Sequence, residues 1–182
     1  YYDSMKLDIP ESANSIPDYL DEIMYNLRWM LTMQDPHDGG VYHKLTTPSF
    51  EGFVMPAECH QPRYVVQKGT AAALDFAATM ALAARIYAPY AECGQFCKDA
   101  LKAAGRAYAW AVAHPSVAYQ QDDINKRFKP EIVTGAYGDG HFSDEFFWAA
   151  TELYLSTGEE SYLLQASAMM PERFAVPRWG DV

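Results

Sequence analysis

The chain has 182 residues, 49% of them hydrophobic, and a formal net charge of −10. That length and apolar share suffice for one domain with a buried core, which excludes a disordered segment. The acidic balance repels phosphate backbones and anionic bilayers alike, which excludes nucleic acid and membrane surfaces as partners and leaves neutral ligands, metal cations and basic partners.

Tyr1 to Pro10 carries acidic groups and no basic stretch followed by an apolar one, so no signal peptide is visible. From Ile16 to Gln34, Leu20, Ile23, Met24, Leu27, Met30 and Leu31 recur at helical spacing. Asp18, Asp21 and Glu22 sit where the helix dipole favours anions, and Pro17 and Pro36 mark the limits of this amphipathic helix. Beyond it, Gly39-Gly40 precedes Val41, Tyr42 and His43, and a second apolar run, Phe53-Val54-Met55, ends at Pro56. This texture predicts a short β-hairpin or extended loop near residues 38–56.

Lys68 to Ala88 is Ala-rich and apolar on nearly every face, which predicts an inner helix surrounded by other helices. Its longest apolar run, Ala71 to Ala84, is interrupted by Asp75 and closed by Arg85, short of the roughly 20 residues a membrane span needs. Gln95 to Ala113 carries one apolar stripe, including Phe96, Ala100, Ala104, Tyr108 and Ala111, opposite Lys98, Asp99, Lys102 and Arg106, so it has a wet side. A connection rich in Pro, Asp and Gly runs from Pro115 to Phe142 without regular structure. Ser143 is placed to cap a helix with Phe147, Ala150, Thr151 and Tyr154, ended by Gly158, and Glu159 to Met170 forms one more before Pro171. Trp29, Trp110 and Trp148 fall on helical stripes and are expected in the core. Cys59, Cys93 and Cys97 form no CxxC pair, and Cys93 and Cys97, one helical turn apart, read as packing thiols.

No strand alternates with these helices, so the fold class is all-α. An all-apolar helix followed by an amphipathic one fits concentric inner and outer layers better than a plain bundle.

Three loop stretches bring Gly, aromatic and acidic residues together, where a rigid scaffold can present them to a ligand. They are Asp38-Gly-Gly-Val-Tyr-His-Lys44, Thr134-Gly-Ala-Tyr-Gly-Asp139 with Asp144-Glu145-Phe-Phe-Trp-Ala149, and Arg178-Trp-Gly-Asp181. In the second, Asp139, Asp144 and Glu145 supply carboxylates and Thr134 and Gly135 carbonyls, the oxygen chemistry a hard cation such as calcium takes. The plainer alternative is that Asp144 and Glu145 only serve a helix N-terminus. A catalytic pair made of Asp144 and Glu145 is disfavoured, because neighbours at a helix start point in different directions.

An ordered series of segments resembles the family-nine glycoside hydrolases, cellulases and related endoglucanases. It runs through Ile9-Pro-Glu-Ser-Ala-Asn14, Ile16-Pro-Asp-Tyr-Leu-Asp-Glu22, Trp29-Met-Leu31, Met33-Gln34, Asp38-Gly-Gly-Val-Tyr-His-Lys44, Gly52-Phe-Val-Met-Pro56, Thr70-Ala-Ala72, Asp75-Phe-Ala-Ala78 and Arg85-Ile-Tyr87. It closes with Thr134-Gly-Ala-Tyr137, Asp144-Glu-Phe-Phe-Trp-Ala-Ala150, Glu152-Leu-Tyr154 and Thr157-Gly158.

The resemblance implies part of an (α/α)6 barrel, a six-hairpin toroid, with residues 1–182 as a single partial catalytic module. It also implies inverting hydrolysis of β-1,4-glucan, as in cellulose degradation, by a secreted enzyme acting outside the cell or in the periplasm. The family's catalytic Asp lies in an Asp-Ala-Gly-Asp motif and its acid Glu lies far past the segment matching Trp179; neither motif occurs here. No catalytic residue is therefore assigned, and the isolated chain is expected to be inactive. The family's calcium loop maps onto Thr134, Gly135, Asp139, Asp144 and Glu145, with Asp181 as a distant ligand. Tyr42, His43 and Trp179 match stretches beside the sugar-binding cleft, where aromatic faces suit pyranose rings; for Tyr42 and His43 the alternative is packing under a loop. A non-catalytic helical carbohydrate-binding or scaffold module is the second reading, and exposed helix faces would favour self-association or a complementary barrel fragment.

Overall fold

A computed structural model describes residues 7–170. Six helices account for most of it: α1 (Asp18–Leu31), α2 (Thr70–Tyr87), α3 (Gly94–Ala113), α4 (Gln121–Arg127), α5 (Ser143–Thr157) and α6 (Glu160–Met169). The antiparallel strands β1 (Leu45–Thr46) and β2 (Tyr64–Val65) form a two-stranded ribbon.

Helix α2 lies at the centre, as its all-round apolar sequence requires. Ala73, Leu74, Phe76, Ala77, Ala78, Met80 and Ala81 are buried on every side of it. Small alanines let neighbouring backbones approach, and each large side chain such as Leu74 contributes about 1.5–3 kcal/mol when fully removed from water. On one flank α3 runs antiparallel to it. Thr70 Oγ1, at the start of α2, donates to the carbonyl of His114 just past the end of α3 and accepts from the Val117 amide. On the other flank α5 runs parallel. Arg85, late in α2, pairs with Glu152 and donates to Ser156 late in α5, and Ser156 donates in turn to the Ala81 carbonyl. Helix α6 folds back on α5 after Gly158, whose φ of +73° suits a residue without Cβ. Two hairpins, α2–α3 and α5–α6, thus lie side by side with α2 and α5 on the inner layer, the arrangement of an (α/α)6 barrel wall.

Several details differ from the sequence reading. The hairpin is present, but β1 pairs with Tyr64–Val65, and Phe53-Val54-Met55 is an exposed loop leading into a 3₁₀ turn. Helix α4 occupies the stretch expected to be irregular. Asp122 and Asp123 open it and Lys126 and Arg127 close it, which is favourable for a dipole, but Ile124 is its only large apolar residue. Ser143 is the first residue of α5 and makes no capping bond. Trp110 is buried, whereas Trp29 and Trp148 are 47% and 40% exposed; a helical stripe shows that one face is apolar, not that a neighbour covers it. Cys93 is buried and Cys97 half-buried, and neither is bonded. No helix among the described residues is long and apolar enough to cross a membrane.

Candidate functional site

Because α2 and α5 run parallel, their N-termini open on the same rim. The loops entering them carry the chemistry. A cleft of ≈ 600 Å³ lies there, lined by His43, Ala72, Asp75, Tyr137, Asp139 and Glu145. A second hollow of ≈ 320 Å³ shares His43, Ala72 and Asp75 and adds Trp29 and Tyr42, so the two are continuous.

Tyr42 and His43 approach this rim between α1 and β1. The Tyr42 hydroxyl donates to Asp35 at 3.3 Å, and the Lys68 ammonium sits 5.5 Å from the centre of its ring. Lys68 also pairs with Asp35 and Asp38, and its hydrogen bond holds Asp35 down at about 2. His43 Nε2 lies 2.8 Å from the Ala136 carbonyl, and the ring stacks on Tyr119 at 4.6 Å. Burial, helped by the Lys44 charge, lowers the pKa of His43. A carbonyl can only accept, so the neutral ring carries its proton on Nε2.

Lys44 fastens the same strand to the loop before α5. Its ammonium donates to the Gly135 carbonyl at 2.5 Å, to Thr134 Oγ1 at 3.1 Å and to Gln121 Oε1 at 2.8 Å. Thr134 Oγ1 also meets Thr46 Oγ1, and the Thr134 carbonyl accepts from Gln121. Past this anchor the chain turns so that Tyr137 takes φ +54° and its ring lies over Gly135. A Cβ at Gly135 would stand 2.5 Å from that ring. Tyr137 is left 77% exposed on the cleft wall, a conformation that costs free energy and recurs at ligand sites.

The carboxylates fill the remaining side. Burial, reinforced by the charges of Asp144 and Asp139, raises Asp75 to about 6. Burial likewise raises Glu145, with Asp144 and Asp75 adding to the effect, and Glu145 Oε2 is buried without a hydrogen-bond partner. Asp139 is lowered, chiefly because its carboxylate accepts the His141 amide. Two carboxyls held high and one orphaned oxygen describe a site short of positive charge. Among the described residues, no three His, Cys, Asp or Glu side chains converge in a metal-ligand arrangement.

The residues expected to share one ion therefore divide. Asp139 and Glu145 face the cleft, while Thr134 and Gly135 point oxygens at Lys44. Asp144 is exposed at the first turn of α5. Trp179 and Asp181 lie outside the described residues. Three cleft residues were not singled out from sequence. Asp75 was signalled as the one charge inside an apolar helical run, and Tyr137 stood within a matched segment. Trp29 also stood within a matched segment, but its helical spacing assigned it to the core.

Comparison with known proteins places this geometry. Residues 4–181 match the profile of glycosyl hydrolase family 9. The chain is 57% identical over its whole length to the xyloglucan-specific endo-beta-1,4-glucanase BoGH9A of Bacteroides ovatus, covering 31% of that protein. It is 39% identical over 158 residues to endoglucanase D of Acetivibrio thermocellus, covering 24% of that protein. Among solved structures, Bacteroides ovatus GH9 superposes with a TM-score of 0.95 over 99% of this chain and 33% of that one. A thermostable endoglucanase from Alicyclobacillus acidocaldarius, 35% identical, superposes with a TM-score of 0.76 over 85% of this chain and 28% of that one. The chain thus spans about a third or less of the relatives it matches.

Proposed function

The chain belongs to glycosyl hydrolase family 9, and on that footing we propose that it forms one wall of a β-1,4-glucanase cleft. Its role is to bind the polysaccharide, with xyloglucan the first substrate to test, given the name of its Bacteroides ovatus relative. The observation that carries this reading is the open rim where Tyr42, His43, Trp29 and the overhanging Tyr137 stand around Asp75. Aromatic faces stack on the apolar faces of glucosyl rings, and polar groups between them take the ring hydroxyls. His43 offers an Nε2–H already held by Ala136, so its part is to fix the loop and present an edge. No proton-transfer step is assigned to this chain, which has no Asp-Ala-Gly-Asp motif. The whole enzyme is proposed to act outside the cell or in the periplasm, in the degradation of cellulose-like glucans.

We further propose a structural calcium ion beside α5. What supports it is Glu145: its unpartnered oxygen and raised carboxyl, with the raised Asp75 in the same cleft, are what a nearby divalent cation relieves. Asp139 and Glu145 would hold it, with Asp144 the next carboxylate along the same helix start; Asp181, the distant ligand expected from the resemblance, lies outside the described residues. The carbonyl half of the expected set is already engaged, Gly135 by the Lys44 ammonium and Thr134 by the Gln121 amide, so both would share their oxygens. A bound calcium supplies charge neutralisation and loop order, not chemistry on the sugar.

Titration of the chain with cellotetraose, followed by saturation-transfer NMR, tests the binding reading. Glucosyl protons should receive saturation, and Tyr137→Ala should weaken the effect. Absence of saturation, or none lost in the variant, would overturn it.

A further inference from the structure

One ammonium stands at the root of the cleft wall. Lys68, two residues before α2, lies 2.5 Å from Asp35 Oδ2 and 2.8 Å from Asp38 Oδ2, and its side chain is half-buried. We propose that Lys68 is a positioning residue for ligand binding: through Asp35 it fixes the Tyr42 ring in the cleft wall. This rests on the cleft being a glucan site.

Tyr42 needs a device of this kind. Hollows of ≈ 320 and ≈ 520 Å³ both reach its side chain, so close packing alone does not settle where the ring stands. Its hydroxyl is held instead. Asp35 Oδ2 accepts from it at 3.3 Å and takes the Lys68 ammonium on the same oxygen, while Asp35 Oδ1 accepts the His37 amide. The ammonium also lies 5.5 Å from the centre of the ring. The backbones agree with the side chains. Tyr42 and Lys68 face each other in an antiparallel bridge, flanked by hydrogen bonds from the His43 amide to the Gln67 carbonyl and from the Gly69 amide to the Val41 carbonyl.

Lys68 is itself fixed from the far side. Asp38 accepts from the Gly40 amide and the buried Trp110 indole as well as from the ammonium. Gly40 lies so close to that indole that a Cβ there would stand 2.6 Å from Trp110 and 2.8 Å from Lys68. Helix α3, the turn at 35–40 and the entry to α2 thus meet at one charge. Without it, Asp35 and Asp38 would face each other as like charges, and their repulsion would draw Asp35 away from the Tyr42 hydroxyl. An apolar side chain of the same length would fill the space but direct no hydrogen bond, so what the ion group supplies is geometry.

The test is a double-variant cycle read as affinity. Calorimetry with cellotetraose at neutral pH compares wild type, Lys68→Met, Tyr42→Phe and the two combined, each well below its melting temperature. Lys68→Met should weaken binding about three- to tenfold, the range for one aromatic contact. Tyr42→Phe, which keeps the ring and removes only the hydroxyl that Asp35 holds, should weaken it by a similar factor. The combined variant should bind no more weakly than either alone, because both changes break one linkage. A Lys68 that served stability only would lower the melting temperature and leave the affinity of the folded chain as it was. Unchanged affinity in Lys68→Met, or losses that multiply in the combined variant, overturns the positioning role and leaves the cleft reading standing. Should Lys68→Met not fold, Asp35→Asn takes its place in the cycle and the same outcomes decide. Failure of the wild-type chain to bind overturns both.

Discussion

The ammonium of Lys44 donates to the carbonyl of Gly135 across 91 residues of sequence, and with Thr134 and Gln121 it closes a network that joins β1, α4 and the loop before α5. Replacing it by an apolar side chain of similar length strands several oxygens at once. Lys44→Met should lower unfolding free energy by about 1.5–3 kcal/mol, the range for a hydrogen bond to a charged group. Urea denaturation checks this; an unchanged midpoint would mean water replaces the ammonium without loss.

Gly135 is required by the ring above it more than by its own backbone. In Gly135→Ala the new methyl meets the outer atoms of the Tyr137 ring, which is exposed and free to swing away. Stability should change by less than about 1 kcal/mol, while affinity for cellotetraose falls because the ring has left the wall. A large drop in melting temperature would show instead that the loop cannot yield.

Calcium should raise the melting temperature and chelation should reverse it, since a ligand bound only by the folded state stabilises it by mass action. Glu145→Gln, which keeps the shape and removes the charge, should flatten the calcium response. Melting curves that ignore both calcium and chelator would leave Asp139, Asp144 and Glu145 as residues of a helix start alone.

Acid should act through Lys68. Its hydrogen bonds depress Asp35 to about 2 and lower Asp38 as well. A depressed carboxylate contributes stability that is complete above its unfolded value of about 4 and is lost as pH falls toward the folded one. Wild type should therefore lose more stability between pH 4 and pH 2 than Lys68→Met, as followed by circular dichroism during urea unfolding at each pH. Identical acid profiles would remove the pair from the list of causes.

Helices whose faces differ were legible in the sequence. Helix α2 is apolar all round from Ala71 to Ala84 apart from Asp75 and proved to be the inner one, and the Gly158 stop between α5 and α6 appeared where the residue predicted it. Helix α4 was not legible, because seven residues with one large apolar side chain carry no period to read. The strand partner at Tyr64–Val65 was missed for a related reason: two residues make no alternation. In the site, the identities of Tyr42, His43 and Glu145 were readable, but their grouping was not. The bonds of His43 to Ala136 and of Lys44 to Gly135 span more than ninety residues and leave no local trace. Trp29 and Trp148 show the converse limit, since periodicity names a face without naming what lies against it.

The parallel course of α2 and α5 separates two kinds of evolutionary freedom. Their alanine-rich flanks tolerate little change, because any added bulk pushes the helices apart. The segments that feed their leading ends touch that interior only at a few anchors, so new side chains can be tried there one at a time. Descendants of such a wall could exchange one ligand for another while the scaffold underneath stays as it was.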